Sequence, residues 1–506
     1  MNSRWLVAAL VVVSVRGQST FKRVEHPLPR PIAGPIVLTA DDVDAVVQAA
    51  AASVNSEAMV IAVTDRQGDI LAVYQKPAAP TTAAANFGIQ ADTKEVAVAL
   101  ARTAGFFSNS QAPLSSRTVR YISGIHFPPG IAYTSNAALY GIENTNRGCG
   151  FNIKFLPGQD VPPARSIAGT QPGLGILTGK ADLNDSDPNA VNPGGVPLYK
   201  AGVLVGGVGV AGVSPDVAEF AALTGSVGAG FGPNPAPPGV VVIDGIAVPF
   251  VNQTTMPAGY GAGAADGAYF LGPLGSPKPA PEGYLVGPQT GPLGGLSLSD
   301  VDQIVQAAVA EANLTRAIIR LPLGSRARMV IAVADLDGSI LAIYRMPDAT
   351  VFSIDVAVAK SRNVIFFSGP SRSASDLPGV PMGTAVTNRT IGFGAQPIYP
   401  PGIDGSSPGP FFSLYQFDAT HPCTQGSQPA NPNQNGIVFF PGALPLYRSG
   451  MLIGGLGVSG DGVDQDDFVT AAGAAGFEAP ANIHADQIID QGVRLPYLKF
   501  PRNPTD

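Results

Sequence analysis

The sequence predicts an α+β fold: two tandem domains, each an antiparallel sheet flanked by helices, arranged as a pseudo-dimer. Three observations lead there. First, the chain repeats itself. MVIAVTDRQGDILAVYQKP (59–77) returns as MVIAVADLDGSILAIYRMP (329–347), and VPLYKAGVLVGGVGVAG (196–212) returns as LPLYRSGMLIGGLGVSG (444–460), with 12 of 19 and 10 of 17 positions identical. Two blocks recurring in one order mark a duplicated domain. Second, apolar runs of strand length come in pairs joined by short glycine turns, the pattern of hairpins. Third, helical periodicities flank those hairpins rather than alternating with single strands, which favours helices beside an antiparallel sheet.

Each element follows from its residues. Residues 1–20 place Arg4 before an apolar run from Trp5 to Val13, the layout of a secretory signal and too short to span a bilayer. A buried N-terminal strand is the competing reading. Residues 21–35 form an N-terminal linker. Copy one occupies 36–251 and opens with a helix capped at Thr39, with Val43, Val46, Val47 and Ala50 on one face; SDVDQIVQAAVAEA matches it from Ser299. Acidic residues in each first turn suit the helix dipole. MVIAV, a D-x-x-G turn (Asp65 to Gly68, Asp335 to Gly338) and ILAVY or ILAIY then make a hairpin.

A second helix follows, ADTKEVAVALARTAGFF or SIDVAVAKSRNVIFF, with about ten extra residues before it in copy one. After an irregular stretch, a second hairpin turns at Ala201-Gly202 and Ser449-Gly450. A third helix spans about 217–229 and 466–475, and short strand-like tails close the copies. Residues 252–293 have the Gly, Pro and Ala content of a linker, and 294–506 form copy two. The linker is longer than flexibility requires, so parts of it are expected to lie along the domain surfaces.

Composition narrows the function. Charged residues are only 13% of the chain, hydrophobic ones 45%, and the net charge is −7 without basic runs, which argues against nucleic acid. The signal-like start points to a secreted or periplasmic protein with no stable membrane span. Cys149 and Cys423 are too far apart for a zinc or haem-attachment motif. Aligning LYGIENTNRGC (139–149) with LYQFDATHPC (414–423) puts them at equivalent places, so a pseudo-two-fold arrangement would let them meet in a disulfide. Two separate thiols are the equal alternative.

The repeated elements carry a resemblance. A D-x-x-G hairpin, Ala357 with Lys360 on the second helix, Gly194-Gly195-Val196-Pro197, and the Gly206–Gly212 and Gly454–Gly460 segments resemble the GlcG/HbpS family, also called the haem-degrading or DUF336 family. The likeness covers most of both copies. It implies a profilin-like or PAS-like fold, usually oligomeric, with tetrapyrrole binding in some members. Haem is therefore the cofactor to test, a higher oligomer of pseudo-dimers is an expected assembly, and Lys360 is a ligand-binding candidate. Copy one has Leu100 at that place, so a lysine site would be asymmetric.

The residues add their own candidates. Haem iron takes His, Met, Cys or Tyr. Of the four histidines none is shared by the copies, and His126 in SGIHFPPG is the one beside a shared loop motif. Arg117 and Arg389, in S-R-T and N-R-T, are shared and sit in apolar loops, where an arginine binds a carboxylate of a ligand or of a neighbouring acid. Asp182, Asp185 and Asp187 offer oxygen ligands for Ca²⁺, against the plainer reading of caps and Asx-turns. VGGVGVAG lies inside an alternating strand, so its glycines serve close backbone approach rather than a dinucleotide. No G-x-S-x-G or H-E-x-x-H occurs, and no reaction is assigned. Two function classes remain: an exported binding module for haem or another carboxylate-bearing hydrophobic small molecule, with haem breakdown as its extension, and a non-catalytic interaction protein built on a fused pseudo-dimer.

Overall fold

Local signals account for the first elements. In the computed structural model, which describes residues 34–85, 89–142, 149, 167, 174–178, 192–233, 241–275 and 277–505, helix α1 spans Ala40–Ala51. Thr39 caps it through a reciprocal box in which its hydroxyl accepts the Asp42 N–H and Asp42 accepts the Thr39 N–H. Its counterpart α5, Leu298–Leu314, uses Ser297 and Asp300 in the same way, so the cap precedes the matched segment's Ser299. Residues Ile36–Asp506 form one compact unit, and the signal segment and the first linker up to residue 33 lie outside the described residues.

The hairpins follow. β1 (Val60–Asp65) pairs with β2 (Ile70–Gln75), with a register shift between Val63 and Thr64. Gly68 turns between them at φ 84°, a conformation glycine adopts without strain, and any side chain there would strike the Phe106 ring. Helix α2 (Thr93–Phe107) crosses the sheet, and α3 (Ser116–Tyr121) follows it. The second hairpin, β3 (Gly195–Lys200) and β4 (Val203–Ala211), turns at Ala201-Gly202 with φ of 51° and 79°, a primed turn matching the strand twist. α4 (Pro215–Leu223) continues into a wider turn at Thr224–Gly228. The strand-like tail is a tight hairpin, Val242–Ile243 with Ile246–Ala247.

The span 252–293 does more than connect. β5 (Ala268–Leu271) joins the first sheet and β6 (Gly283–Val286) joins the second. Glycine and proline masked these tetrads, but each places a tyrosine against a shared one. Tyr269 meets Tyr74 edge-on at 5.2 Å and Tyr284 meets Tyr344 at 5.0 Å, and their hydroxyls donate to Asp44 and Asp302 of the equivalent helices.

Copy two repeats the plan. β7 (Val330–Ala334), β8 (Ile340–Arg345), α6 (Ser353–Ser368), α7 (Asn388–Gly394), α8 (Phe412–Thr420), β9 (Ala443–Arg448), β10 (Met451–Ser459) and α9 (Val463–Gly473) follow in order. Both sheets are five-stranded and antiparallel, ordered β3-β4-β1-β2-β5 and β6-β8-β7-β10-β9. The strand glycines act as spacers. A Cβ on Gly207 or Gly209 would press on the α2 backbone at Ala101 and Ala97, and Gly455 and Gly457 stand likewise under Ser361 and Ala357 of α6.

The copies share a buried seam. Phe106, Phe107, Val119 and Ile122 join the apolar core of copy two, and Phe107 stacks on Phe352 at 3.9 Å. Equivalent tyrosines, Tyr140 and Tyr415, stack at 5.3 Å, and Cys149 and Cys423 form a disulfide with Cα atoms 5.1 Å apart. Equivalent residues meet only near a two-fold axis, so these two contacts mark the pseudo-symmetry of the pair.

Candidate functional site

The capped short helices α3 and α7 each present an arginine at their second residue. In copy one the Arg117 guanidinium grips Glu219 of α4, Nε to Oε1 at 2.6 Å and an NH2 to Oε2 at 3.2 Å. Glu219 also accepts the N–H groups of Asn252 (2.9 Å) and Gln253 (3.0 Å). In copy two Arg389 donates to Asp467 and to Asp464 (2.6 Å), and Asp467 accepts the N–H of Lys499 (3.0 Å) and Gly442 (2.9 Å). Beside each arginine a threonine hydroxyl donates to a tail carbonyl, Thr118 to Pro249 and Thr390 to Pro496, both at 2.6 Å. The two arginines are therefore one duplicated clasp that ties the C-terminal tail of each copy to its helices. The carboxylate each meets is the protein's own, one of the two partners that the sequence allowed for it. Burial opposes the charge on Arg389, yet Asp467 and Asp464 hold its pKa above the ordinary value.

Lys360 is also internal. Its side chain is fully buried on α6, and Nζ donates to the Val458 carbonyl (2.8 Å) and to Asp466 (2.9 Å) while lying 4.8 Å from the Phe440 ring centre. Burial pushes the lysine down, against the pull of Asp466. Burial pushes the Asp466 carboxyl up to about 7, and Lys360 works against that rise. Copy one has Leu100 in place of the lysine and Ala218 in place of the aspartate, so the charged pair was exchanged as a unit for an apolar one. A ligand would have to displace Asp466 to reach Lys360.

His126 lies at the seam. Its Nε2 stands 2.8 Å from Asp404 of copy two and its Nδ1 3.3 Å from the Thr134 carbonyl, so both ring nitrogens face acceptors. It fastens two loops, with each ring nitrogen at a protein oxygen. Asp182, Asp185 and Asp187 lie outside the described residues. A second acidic run, Asp461 to Asp467, is matched by Arg320, Arg389 and Lys360, and among the described residues no group of three His, Cys, Asp or Glu could hold a metal ion. No helix among them is long and apolar enough to cross a membrane.

In copy one a cleft of about 480 Å³ lies between α4 with its wide turn and the tail, lined by Leu223, Val227, Val248, Phe250, Asn252 and Thr254 among others. Its lining has no His, Met, Cys or Tyr, so it does not fit a haem held through an axial ligand. His484 stacks on Tyr497 with Nε2 at the Ala479 carbonyl, and His421 stacks on Phe417, both away from this cleft. Sequence reasoning missed Glu219, and it grouped Asp466 and Asp467 with Asp461 and Asp464 as oxygen ligands for Ca²⁺ rather than as partners of Lys360 and Arg389. The signal was present but weak: Glu219 and Asp467 share a register once the third helices are aligned from Gly212 and Gly460.

Comparison with known proteins places these elements. Residues 296–475 match the family described as "Haem degrading protein HbpS-like". Two curated relatives are corrinoid adenosyltransferases PduO, from Salmonella typhimurium (28% identical) and Citrobacter freundii (27%), each over 36% of this chain. The chain spans 38% of the length of those relatives. Among solved structures, a PduOC:haem complex is 23% identical over 37% of this chain and 98% of that one, with a TM-score of 0.25. Klebsiella pneumoniae protein ORFY, of the DUF336 family, is 22% identical over 36% and 88%, with a TM-score of 0.24. A double mutant of Streptomyces reticuli HbpS is 18% identical over 36% and 85%, with a TM-score of 0.22.

Proposed function

We propose that this chain, whose residues 296–475 form an HbpS-like domain, is an exported binding protein for a small hydrophobic ligand, with haem as the first ligand to test. The family match carries the reading. The geometry adds no support of its own, because the residues expected to bind a ligand, Arg117, Lys360, Arg389 and His126, each meet a protein partner. Export is supported by the Cys149–Cys423 bridge, since such bridges persist in oxidising compartments. No reaction step is assigned through haem, because neither the cleft nor His126 offers a ligand to its iron.

Titration of the purified full chain with haemin, followed at the Soret band, tests the proposal. Saturation in the low-micromolar range supports it, and a linear, unsaturable response sinks it. A second reading, a non-catalytic interaction protein, draws on the stacked tyrosines and the disulfide, which make the fused pair a rigid unit without any ligand. A failed haemin titration would leave that reading in place.

A further inference from the structure

Copy one passes from α1 to β1 through ASVNSEA (52–58), whereas copy two takes the longer path TRAIIRLPLGSRAR (315–328) from α5 to β7. One arginine of that path, Arg320, is buried against Asp348 and Asp461. The other three gather at the end of α5. Arg316 and Arg326 face each other in an isolated antiparallel bridge, which sets their Cβ atoms about 5 Å apart on one side. Arg326 donates to the carbonyls of Leu314 (2.9 Å) and Thr505 (2.8 Å), and Arg328 to the side-chain oxygen of Asn313 (2.8 Å). Arg316 reaches the carbonyl of Arg502 at 3.5 Å. Every one of these acceptors is neutral. Arg117 and Arg389 close on carboxylates, but among the described residues Arg316, Arg326, Arg328 and Arg502 are in no ion pair. Glu311 lies at the Thr315 hydroxyl (3.4 Å), and Asp461, which accepts the Arg328 N–H, is already closed by Arg320. The carbonyl end of α5 favours cations, but its charge of about half a unit does not neutralise three of them.

We infer that this arginine cluster at the end of α5 is a binding site for a phosphate-type group, a compact oxyanion of one or two charges. Guanidinium forks match the oxygens of such a group two at a time. Each arginine is pinned on one side by a neutral oxygen and keeps donors in hand. Arg326 and Arg328 each spend one terminal nitrogen, and the buried Nε of Arg316 has no partner in the protein. A buried donor left unpaired costs free energy that an arriving anion oxygen recovers. The cluster is confined to one bridge and one helix end, which suits a single group. A net charge of −7 repels an extended polyanion. Two exposed leucines adjoin it: Leu314 (58% exposed), whose carbonyl holds Arg326, and Leu323 (72%), three residues before Arg326. The group therefore has two sources, a free phosphate or a phospholipid headgroup whose apolar surface those leucines would meet. The site goes beyond the haem reading and does not rest on it.

Two probes of the full chain at low ionic strength test the assignment. One is calorimetric titration with inorganic phosphate against a chloride background. The other is co-sedimentation with phosphatidylcholine vesicles, with and without phosphatidic acid. Saturable binding of at least one probe is expected, and the double change Arg316→Gln with Arg326→Gln should weaken it by about tenfold or more. Arg448→Gln with Arg494→Gln removes the same charge from exposed arginines paired with Asp300 and Asp486, and should leave affinity within about twofold. Denaturation midpoints near that of the parent would establish that the variants are folded. Vesicle binding that needs phosphatidic acid and falls with Leu323→Ser identifies a headgroup as the source. Phosphate binding without a vesicle preference, unmoved by Leu323→Ser, identifies a free phosphate. No saturation with either probe would overturn the assignment, as would equal losses in the two double variants. Neither result depends on the haemin titration.

Discussion

Exchanging the buried pair Lys360–Asp466 for its copy-one equivalent, Leu and Ala, dissects what that pair contributes. Lys360→Leu alone leaves the fully buried Asp466 without its cation, and Asp466→Ala alone leaves the buried lysine without its anion. Each single change should cost about 3–5 kcal/mol near neutral pH. The double variant should lie within about 1–2 kcal/mol of the parent, because the Val458 carbonyl and the Phe440 face lose only a donor and a cation–π contact. The surrounding frame already accepts that exchange in copy one, where Gly194 faces Ala218 as Gly442 faces Asp466.

The pH dependence separates the singles. Without Lys360 the Asp466 carboxyl rises above its present value of about 7, while in the unfolded chain it stays near 3.8. The folded state then binds the extra proton, so Lys360→Leu should lose about 1.4 kcal/mol per unit as pH rises from about 4. Asp466→Ala should show the opposite slope. Its lysine is pushed down by burial in the fold, so the unfolded state binds the proton and stability rises with pH. The double variant should lack both slopes. Guanidinium denaturation at several pH values, with the disulfide intact, measures all four proteins. A double variant as unstable as the worse single, or singles with slopes of the same sign, would refute the reasoning.

Three further outcomes follow from the same structure. Arg117→Met and Arg389→Met should each cost about 3–5 kcal/mol by stranding Glu219 or Asp467, and neither should change haemin affinity selectively; unaltered stability with a selective haemin defect would restore them as ligand residues. Cys149→Ser should lower stability by about 5–6 kcal/mol on the loop-entropy account, given the separation of 274 residues, and a midpoint equal to that of the parent would contradict it. Asp65 is raised to about 6 by burial and by the nearby Asp69, so its share of stability is present below about pH 4 and lost as pH rises to about 6. Asp65→Asn should therefore flatten the stability profile over that interval by up to about 3 kcal/mol, and an unchanged profile would count against the assignment.

Much of the architecture was legible because it is local. Alternating apolar runs, Thr39 before an amphipathic stretch, and the Ala201-Gly202 and Ser449-Gly450 turns each specify an element from a few neighbouring residues. The edge strands β5 and β6 were hidden for the converse reason. Four residues among prolines and glycines become a strand only when an existing sheet offers its edge and a tyrosine to pack against. The candidate site was harder still. Arg117 and Arg389 stood out from their apolar loops, but whether an arginine meets a ligand or Glu219 depends on residues about a hundred positions away.

By itself the sequence determined the duplication, the order of helices and hairpins, and the places where only glycine lets helix and sheet approach. These depend on spacing along the chain. The tertiary structure decided which charges face each other and that equivalent cysteines and tyrosines meet at one axis. Burial and pairing are properties of residues distant in sequence and adjacent in space, so they exist only once the chain has folded.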